Sequence, residues 1–360
     1  MVRDYSAFLP GGAAPATRRD PTALERLGWG PAFAGQIDAE ALMETPPVRV
    51  VAVHRSGLHV VGDGIDTSIP PGIEATVGDW LLMDRARPRS SRLLERKSLI
   101  KRRAPGTDRQ VQLIAANIDT AFVVTSCNQD LNVARLERYV ALAFEASIDP
   151  VILLTKADLS EDPLPHIRAA QSVSARVPVV ALDARGTEPA QRLADWCKPG
   201  WTVAFLGSSG VGKSTLTNAL LCTEAVATRE IREDDAKGRH TTTRRELHAT
   251  PGGCLVIDTP GMRELQLTGA AEGIADVFED IEALAARCRF TDCRHESEPG
   301  CAVRAALEDG RLASSRLARW RKLQAEDAFN SASLAERREK DRSFGKLVRT
   351  VMKEKSAQRR

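Results

Sequence analysis

The hydrophobic pattern of the chain divides it into regions of different predicted structure. Between residues 48 and 83, apolar and polar residues alternate in short runs, which glycine and proline interrupt. This alternation predicts half-buried antiparallel strands, so we expect a small all-β unit, either a barrel or a sandwich. Residues 1–40 are rich in Gly, Pro and Ala, which predicts an N-terminal extension with little core of its own.

A second pattern begins near residue 115. Continuous apolar runs alternate there with amphipathic stretches, and these runs lie at 121–125, 151–155, 177–181, 202–206 and 254–257. Strands that are apolar throughout and separated by helices are typical of a mostly parallel α/β sheet. After about Leu267 the pattern is mainly helical. We therefore predict a multidomain chain, divided into an extension (1–40), a β-barrel domain (41–108), a central α/β domain (109–267) and a mainly helical C-terminal domain (268–360).

A phosphate-binding loop is the most specific motif in the sequence. Residues 207–214 match G-x-x-x-x-G-K-[ST] at every defined position, between an apolar run and a helical stretch. Backbone N–H groups of such a loop point at phosphate oxygens, and the following helix N-terminus adds partial positive charge. We expect Lys213 to reach the β- and γ-phosphates and Ser214 to ligate Mg²⁺. The predicted nucleotide contacts of this loop are Gly207, Ser208, Ser209, Gly210, Val211, Gly212, Lys213, Ser214 and Thr215.

A second motif predicts guanine rather than adenine as the base. It has the form N/T-K-x-D and consists of Thr155, Lys156, Ala157 and Asp158. A carboxylate at Asp158 can accept two hydrogen bonds, from the guanine N1–H and N2–H₂, a pair that adenine does not offer. Many GTPases have Asn where this chain has Thr155, and we expect the threonine to weaken a hydrogen bond that tethers the loop.

A further base-contacting loop is predicted after the apolar run 177–181. Asp183 and Ala184 occupy this position, where the usual pair is Ser-Ala. The acidic residue is a departure from that pattern.

The next two motifs predict how the γ-phosphate and Mg²⁺ are sensed. Asp258 and Gly261 belong to a D-x-x-G motif, in which the carboxylate holds Mg²⁺ through water and the glycine N–H faces the γ-phosphate. Either Thr242 or Thr243 is expected to ligate Mg²⁺ only when the γ-phosphate is present, and the sequence does not distinguish them. Met262 stands where Ras-like proteins have a water-orienting glutamine, which predicts slow intrinsic hydrolysis. His240 is a candidate internal substitute for that glutamine.

The order of these motifs is circularly permuted. The base-selecting motif precedes the phosphate loop, whereas most GTPases have the opposite order. Ligands bind outside the carboxyl ends of parallel strands, so the chain order can change while the spatial arrangement is kept. The segment after Gly261 leads into the C-terminal region, so we expect nucleotide-dependent movement to act on residues 265–320.

A Cys/His cluster in the C-terminal region predicts a metal site. Cys288, Cys293, His295 and Cys301 gather three thiols and one imidazole in fourteen residues. Closed Cys₃His sets of this kind suit a structural, tetrahedral zinc ion. In a short polar segment, such an ion replaces a missing local core.

Charge and composition indicate the partners and the compartment. Residues 85–109 carry ten Lys/Arg against two acidic residues, and residues 336–360 carry ten against four, although the net formal charge is only +3. Two basic blocks on an otherwise acidic chain predict a salt-sensitive contact with a polyanion such as RNA, while either block alone could be a solvated face. The seven cysteines form no disulfide framework, which predicts a reducing, cytoplasmic compartment. Neither a membrane span nor a secretory signal is expected.

Together these residues resemble the ribosome small-subunit-dependent GTPase A family of bacteria. The resemblance rests on the permuted motif order, on the Cys/His spacing and on the segments 75–80 and 115–119. It implies an N-terminal OB-fold, a circularly permuted P-loop GTPase domain and a C-terminal zinc domain. It also implies a cytoplasmic protein that binds GTP/GDP with Mg²⁺, one structural Zn²⁺, and the small (30S) ribosomal subunit with its rRNA. Such a protein assists late maturation of the subunit, which stimulates its GTP hydrolysis; we expect a monomer.

Two other classes of protein stay open at this point. One is an ATP-using P-loop enzyme such as a kinase, against which Asp158 and the threonine run count. The other is a non-catalytic RNA-binding scaffold that carries GTP, which Met262 keeps possible.

Overall fold

The computed structural model describes residues 19–38, 42, 44–103, 111–128, 131–222, 245–258 and 267–331. In chain order, its strands are β1 (Pro47–His54), β2 (Gly57–Gly62), β3 (Ile65–Ile69), β4 (Trp80–Leu82), β5 (Arg92–Leu93), β6 (Leu99–Arg103), β7 (Val111–Ala116), β8 (Thr120–Ser126), β9 (Asp149–Thr155), β10 (Val179–Ala181), β11 (Thr202–Leu206), β12 (Arg245–Ala249) and β13 (Leu255–Asp258). Its helices are α1 (Ala23–Arg26), α2 (Pro31–Ala34), α3 (Val133–Glu145), α4 (Leu164–Gln171), α5 (Glu188–Arg192), α6 (Lys213–Leu221), α7 (Ala271–Val277), α8 (Glu279–Ala285), α9 (Ala302–Glu308) and α10 (Ser314–Ser331).

The first five strands form the all-β unit that the alternating pattern predicts. Strand β1 pairs antiparallel with β2 and with β4, β2 pairs with β3, and β4 pairs with β5. The inward-facing residues make a small core of Val48, Val50, Leu58, Val60, Ile69, Leu81 and Met83. The antiparallel β unit is therefore confirmed, whereas its assignment to the OB-fold class stays a prediction.

The central sheet is mostly parallel, as the continuous apolar runs predict. Its strand order is β10-β9-β8-β11-β13-β12, and only β12 among these runs antiparallel to its neighbour. Alternate residues of each strand face opposite sides, so Val123 and Leu154 join one buried cluster while Phe122 and Leu153 join another. Apolar residues are needed on both faces, which explains why these strands show no alternation.

The all-β unit and the central sheet are joined by strand pairing. Strand β1 pairs antiparallel with β12, with Ala52 opposite Glu246 and Val53 opposite Arg245. The described strands β1–β5 and β8–β13 thus belong to one eleven-stranded sheet, while β6 and β7 form a separate two-stranded one. The boundary predicted at residue 108 falls in the segment between β6 and β7, which lies outside the described residues.

The described part of the N-terminal extension shares a core with the β unit. Phe33 is buried together with Trp80, and the rings of Trp29 and Trp80 meet edge to face at 4.8 Å. The prediction that this segment has little core of its own is compatible with this packing, because its apolar side chains are covered by strand β4 and by Leu94, the residue after β5.

A buried arginine fastens these parts to one another. Arg49 on β1 is only 1% exposed, and its guanidinium donates hydrogen bonds to the carbonyl oxygens of Leu27 (2.5 Å), Gly78 (3.2 Å) and Asn117 (3.3 Å) and to the hydroxyl of Thr202 (2.9 Å). These acceptors come from the N-terminal segment, the β unit and the central sheet. Burial lowers the pKa of Arg49 to about 10, against the opposing effect of Asp119 and Asp79, so the side chain stays charged at neutral pH.

The C-terminal helices pack on α3, on one face of the central sheet. Helix α7 approaches α3 so closely that a Cβ on Gly273 would lie 2.0 Å from the carbonyl oxygen of Ala141. The Gly273 N–H donates to the Glu145 carboxylate at 3.0 Å. Buried Glu137 of α3 accepts hydrogen bonds from Arg316 and Arg319 of α10. Among the helices described, none has the combination of length and apolar character that a membrane span needs.

We predict that Arg49→Ala lowers the free energy of unfolding by about 3 kcal/mol, because it leaves several buried acceptors without a donor. Urea denaturation followed by tryptophan fluorescence measures this change. The matched control is Arg55→Ala, which removes an exposed arginine from the turn after β1 and should change stability by less than about 0.5 kcal/mol. Equal stability of Arg49→Ala and Arg55→Ala would contradict the role given to Arg49.

Candidate nucleotide site and metal centre

The phosphate loop connects β11 to α6 in the conformation that its glycines permit. Gly207 has φ 145°, and a Cβ there would lie 2.3 Å from the carbonyl oxygen of Val124 on β8, so only glycine fits at this position. The Lys213 ammonium donates hydrogen bonds to the carbonyl oxygens of Gly207 (2.7 Å) and Ser208. Its charge therefore lies over the loop whose N–H groups are predicted to hold phosphate.

The base-selecting turn follows β9 and contacts the phosphate loop directly. Thr155 is fully buried, and its hydroxyl lies 2.7 Å from the carbonyl oxygen of Val211 and 3.2 Å from that of Thr125. Thr155 therefore tethers this turn to the phosphate loop, and the expected weakening relative to asparagine stays a prediction. The hydroxyl reaches the phosphate loop because the closely paired parallel strands bring the ends of β9 and β11 together.

The remaining residues of this motif form a tight turn at the edge of the sheet. Lys156 adopts the left-handed conformation with φ 57°, and a single 3₁₀ turn, Ala157–Leu159, follows it. Asp158 lies in that turn with its side chain 29% exposed. The carboxylate is thus available to a ligand from the solvent side.

The loop after β10 joins the same edge. Ala184 is buried, and the position of a Cβ on Gly212 lies 3.7 Å from the Ala184 Cβ and 3.5 Å from the Thr155 hydroxyl. Three loops from distant parts of the sequence therefore meet at Gly212.

Arg185 pairs with two acidic side chains in this corner of the site. Its guanidinium lies 2.6 Å from Oδ2 of Asp158 and 3.0 Å from the carboxylate of Asp183. The hydrogen bond from Arg185 holds the pKa of Asp183 below its usual range. Arg185 belongs to none of the predicted motifs, although it directly follows the Asp183-Ala184 pair.

Arg135 is a second residue that the motifs did not identify. It lies in the first turn of α3 and donates a 2.6 Å hydrogen bond to the hydroxyl of Ser208 in the phosphate loop. No motif surrounds Arg135, so only the packing of α3 against β8 and β9 could reveal this contact.

The predicted γ-phosphate and Mg²⁺ contacts are described only in part. Asp258 ends β13, which pairs parallel with β11, so its backbone lies on the strand next to the one that leads into the phosphate loop. Thr242, Thr243 and Gly261, like His240 and Met262, lie outside the described residues. Their roles stay predictions.

The four predicted metal ligands lie together. The ligand atoms of Cys288, Cys293, His295 and Cys301 are all within 4.8 Å of one another. The Cys288 and Cys301 sulfurs are 3.9 Å apart, and Nδ1 of His295 lies 3.6 Å from the first and 3.4 Å from the second. Three thiols and an imidazole at these separations can hold a metal ion.

The surroundings favour the ligand forms of His295 and Cys288, whereas burial raises the pKa of Cys293 to about 11. Burial and the neighbouring Arg321 lower the pKa of His295, which keeps the imidazole neutral. Burial raises the pKa of Cys288, but hydrogen bonds from the backbone of Val303 and Ala302 outweigh it and hold that pKa below its usual value. The Arg321 guanidinium also donates to the carbonyl oxygen of His295 at 2.9 Å, which fastens the ligand loop to α10.

The fold and the sites define a circularly permuted P-loop GTPase with a Cys₃His module behind the nucleotide domain. The family model described as RsgA GTPase matches residues 93–268. A small ribosomal subunit biogenesis GTPase RsgA 2 from Vibrio vulnificus is 47% identical over 94% of this chain and 98% of its own length. A small ribosomal subunit biogenesis GTPase RsgA from Mesorhizobium japonicum is 49% identical over 86% of this chain and 91% of its own. This chain belongs to the RsgA GTPase family.

Solved structures share this architecture. The crystal structure of YjeQ from Thermotoga maritima matches with a TM-score of 0.56 and 25% identity, over 77% of this chain and 96% of that one. YloQ, described as a circularly permuted GTPase, matches with a TM-score of 0.54 over 80% of this chain and 97% of its own; at 23% identity it supports the fold alone.

We predict that Co²⁺ added to chelator-treated protein gives the visible absorption of a tetrahedral thiolate site. His295→Ala should lose this absorption, because one ligand is gone. Cys222→Ser is the matched control, since Cys222 is an exposed thiol outside the cluster, and it should keep the spectrum. Equal spectra for His295→Ala and Cys222→Ser would contradict the assignment of the ligands.

Proposed function

We propose that this protein hydrolyses GTP, binds the small (30S) ribosomal subunit and assists its late maturation, with hydrolysis stimulated by the subunit. The single observation that carries the nucleotide part is the contact between Thr155 and Val211, which joins the base-selecting turn to the phosphate loop. The subunit part rests on family membership and on the names of the curated relatives.

In this proposal each loop has one task. The N–H groups of residues 207–215 and the Lys213 ammonium hold the phosphates, while Asp158 reads the guanine edge and Lys156 covers the ring. Ser214 and Asp258 hold Mg²⁺, with Thr242 or Thr243 as the switch ligand and the Gly261 N–H at the γ-phosphate. The bound Mg²⁺ neutralises charge on the phosphate oxygens.

We assign zinc to the Cys₃His cluster. Zn–S bonds of 2.3 Å in a tetrahedral site separate two sulfurs by about 3.8 Å, and the Cys288 and Cys301 sulfurs are 3.9 Å apart. Four protein ligands leave no open position, so the ion stabilises the fold rather than taking part in the reaction.

The proposed domains carry the two basic segments that would contact rRNA. We propose an extension (1–40), an OB-fold domain (41–108), a permuted GTPase domain (109–267) and a zinc-binding domain with a basic tail (268–360). The basic residues of 85–109 and of the tail would neutralise rRNA phosphates, so binding should weaken as salt rises. We propose that the protein acts as a cytoplasmic monomer.

We predict slow GTP turnover by the purified protein and a rise of at least ~tenfold with small ribosomal subunits, which is about 1.4 kcal/mol of barrier. The measurement compares GTP with ATP, and small with large subunits. Lys213→Ala should abolish turnover because the phosphates lose the half-buried ammonium that is proposed to hold them. Lys198→Ala, which removes an exposed lysine that packs on Trp201, is the matched control and should keep it.

Two results would contradict the proposal. If ATP is hydrolysed as fast as GTP, Asp158 does not select the base and an ATP-using enzyme is favoured. If subunits change nothing, the protein is a nucleotide-binding scaffold or has another partner.

A further inference from the structure

Three acidic side chains lie in the part of the site that is proposed to bind the base. Asp158 and Asp183 lie on separate loops, and both contact the guanidinium of Arg185. A third acid, Glu188, accepts a hydrogen bond from the Asp183 N–H at 3.3 Å. The Arg185 side chain therefore lies between two aspartates at the place where the guanine base is proposed to bind.

The pairing is geometrically specific. The Arg185 Nη2 donates to Oδ2 of Asp158 at 2.6 Å and to Oδ2 of Asp183 at 3.0 Å, while its Nε lies 3.0 Å from Oδ1 of Asp183. The Arg185 backbone N–H also donates to that Oδ1, at 3.0 Å. Both the backbone N–H and the guanidinium of Arg185 thus bind the Asp183 carboxylate, whereas only the guanidinium binds Asp158, at Oδ2.

The remaining acceptors of Asp158 match what guanine donates. Among the described residues, Oδ1 of Asp158 accepts no hydrogen bond, and Oδ2 has a second lone pair besides the one that faces Arg185. Guanine presents two N–H donors side by side, from N1 and N2. The carboxylate can therefore accept both without releasing Arg185.

The charge balance explains why an arginine is needed here. Two nearby carboxylates disfavour each other's ionised form unless a cation lies between them. The hydrogen bond from Arg185 also lowers the pKa of Asp183, so the guanidinium stabilises the ionised form of this acid. Without the guanidinium, the charge on Asp183 would repel the Asp158 carboxylate and turn it away from the orientation that guanine binding needs.

We propose that Arg185 is a positioning residue for guanine specificity: it fixes the Asp158 carboxylate towards the base and compensates for the acidic residue at position 183. The inference rests on the proposed role of Asp158 in guanine binding. It accounts for the departure at Asp183, because the acid at this position is tolerated only together with the arginine two residues later.

The test is a double-mutant comparison of nucleotide affinity. Titration of fluorescently labelled GDP gives Kd for the wild type, Arg185→Ala, Asp183→Ser and the double variant Asp183→Ser/Arg185→Ala. Competition by unlabelled GDP and ADP gives the base preference of each. Arg168→Ala is the matched control, because Arg168 is an exposed arginine on α4 outside the site, and thermal unfolding shows whether each variant is folded.

The proposal predicts that Arg185→Ala weakens GDP binding by at least ~tenfold and reduces the preference for GDP over ADP. The double variant should bind GDP more tightly than Arg185→Ala, because removing the Asp183 charge relieves the repulsion. Arg185→Lys should bind between the wild type and Arg185→Ala, since an ammonium supplies charge without the planar fork.

Two outcomes would overturn the proposal. One is GDP affinity of Arg185→Ala within twofold of the wild type and of Arg168→Ala. The other is a double variant that binds no better than Arg185→Ala, which would mean that Arg185 merely holds the loop in shape. Failure of the proposed function gives a different result, because the wild type itself would then bind ADP as well as GDP.

Discussion

The described loops of the proposed nucleotide site leave the carboxyl ends of neighbouring parallel strands in one sheet, and the rest of the molecule depends on this constraint. Strand β8 lies between β9 and β11, so the end of β9 at Thr155 and the start of the phosphate loop at Gly207 meet at one edge. The order in which the chain visits these strands does not affect that meeting. A circular permutation is therefore compatible with an intact site.

One helix packed on this sheet links the phosphate loop to the C-terminal helices. Helix α3 covers one face of the sheet and contacts both the phosphate loop and the C-terminal helices. Arg135 donates to Ser208 in the phosphate loop, and Glu137 is buried against Arg316 and Arg319 of α10. Burial raises the pKa of Glu137, and the two arginines oppose that rise. Removing one partner of a buried pair of this kind costs about 3–5 kcal/mol, so we expect α3 and the C-terminal helices to stay packed together.

Local patterns made much of this structure predictable. The phosphate loop, the Thr155–Asp158 turn and the Cys₃His cluster are contiguous or closely spaced, and their chemistry requires particular residue types at fixed positions. The parallel sheet was predictable because strands buried on both faces must be apolar throughout. These features depend on the sequence within a few residues of each site.

The remaining features depend on which distant segments pack together. Nothing near β1 indicates that it pairs with β12, and nothing near Arg49 indicates that its acceptors come from three parts of the fold. The acceptor of the Thr155 hydroxyl could not be identified from the sequence for the same reason, since Val211 lies 56 residues away. Arg185 has a partner beside it in sequence, but its contact with Asp158 exists only because two loops share an edge.

Coupling between the nucleotide site and the Cys₃His module is expected from the contacts of α3 with both the phosphate loop and α10. Hydrogen exchange measured with GDP and with a non-hydrolysable GTP analogue tests it most directly. We expect both nucleotides to protect residues 207–221, and we expect the two nucleotides to protect residues 302–331 to different extents. Identical protection of residues 302–331 in both states, with residues 207–221 protected in each, would contradict the coupling.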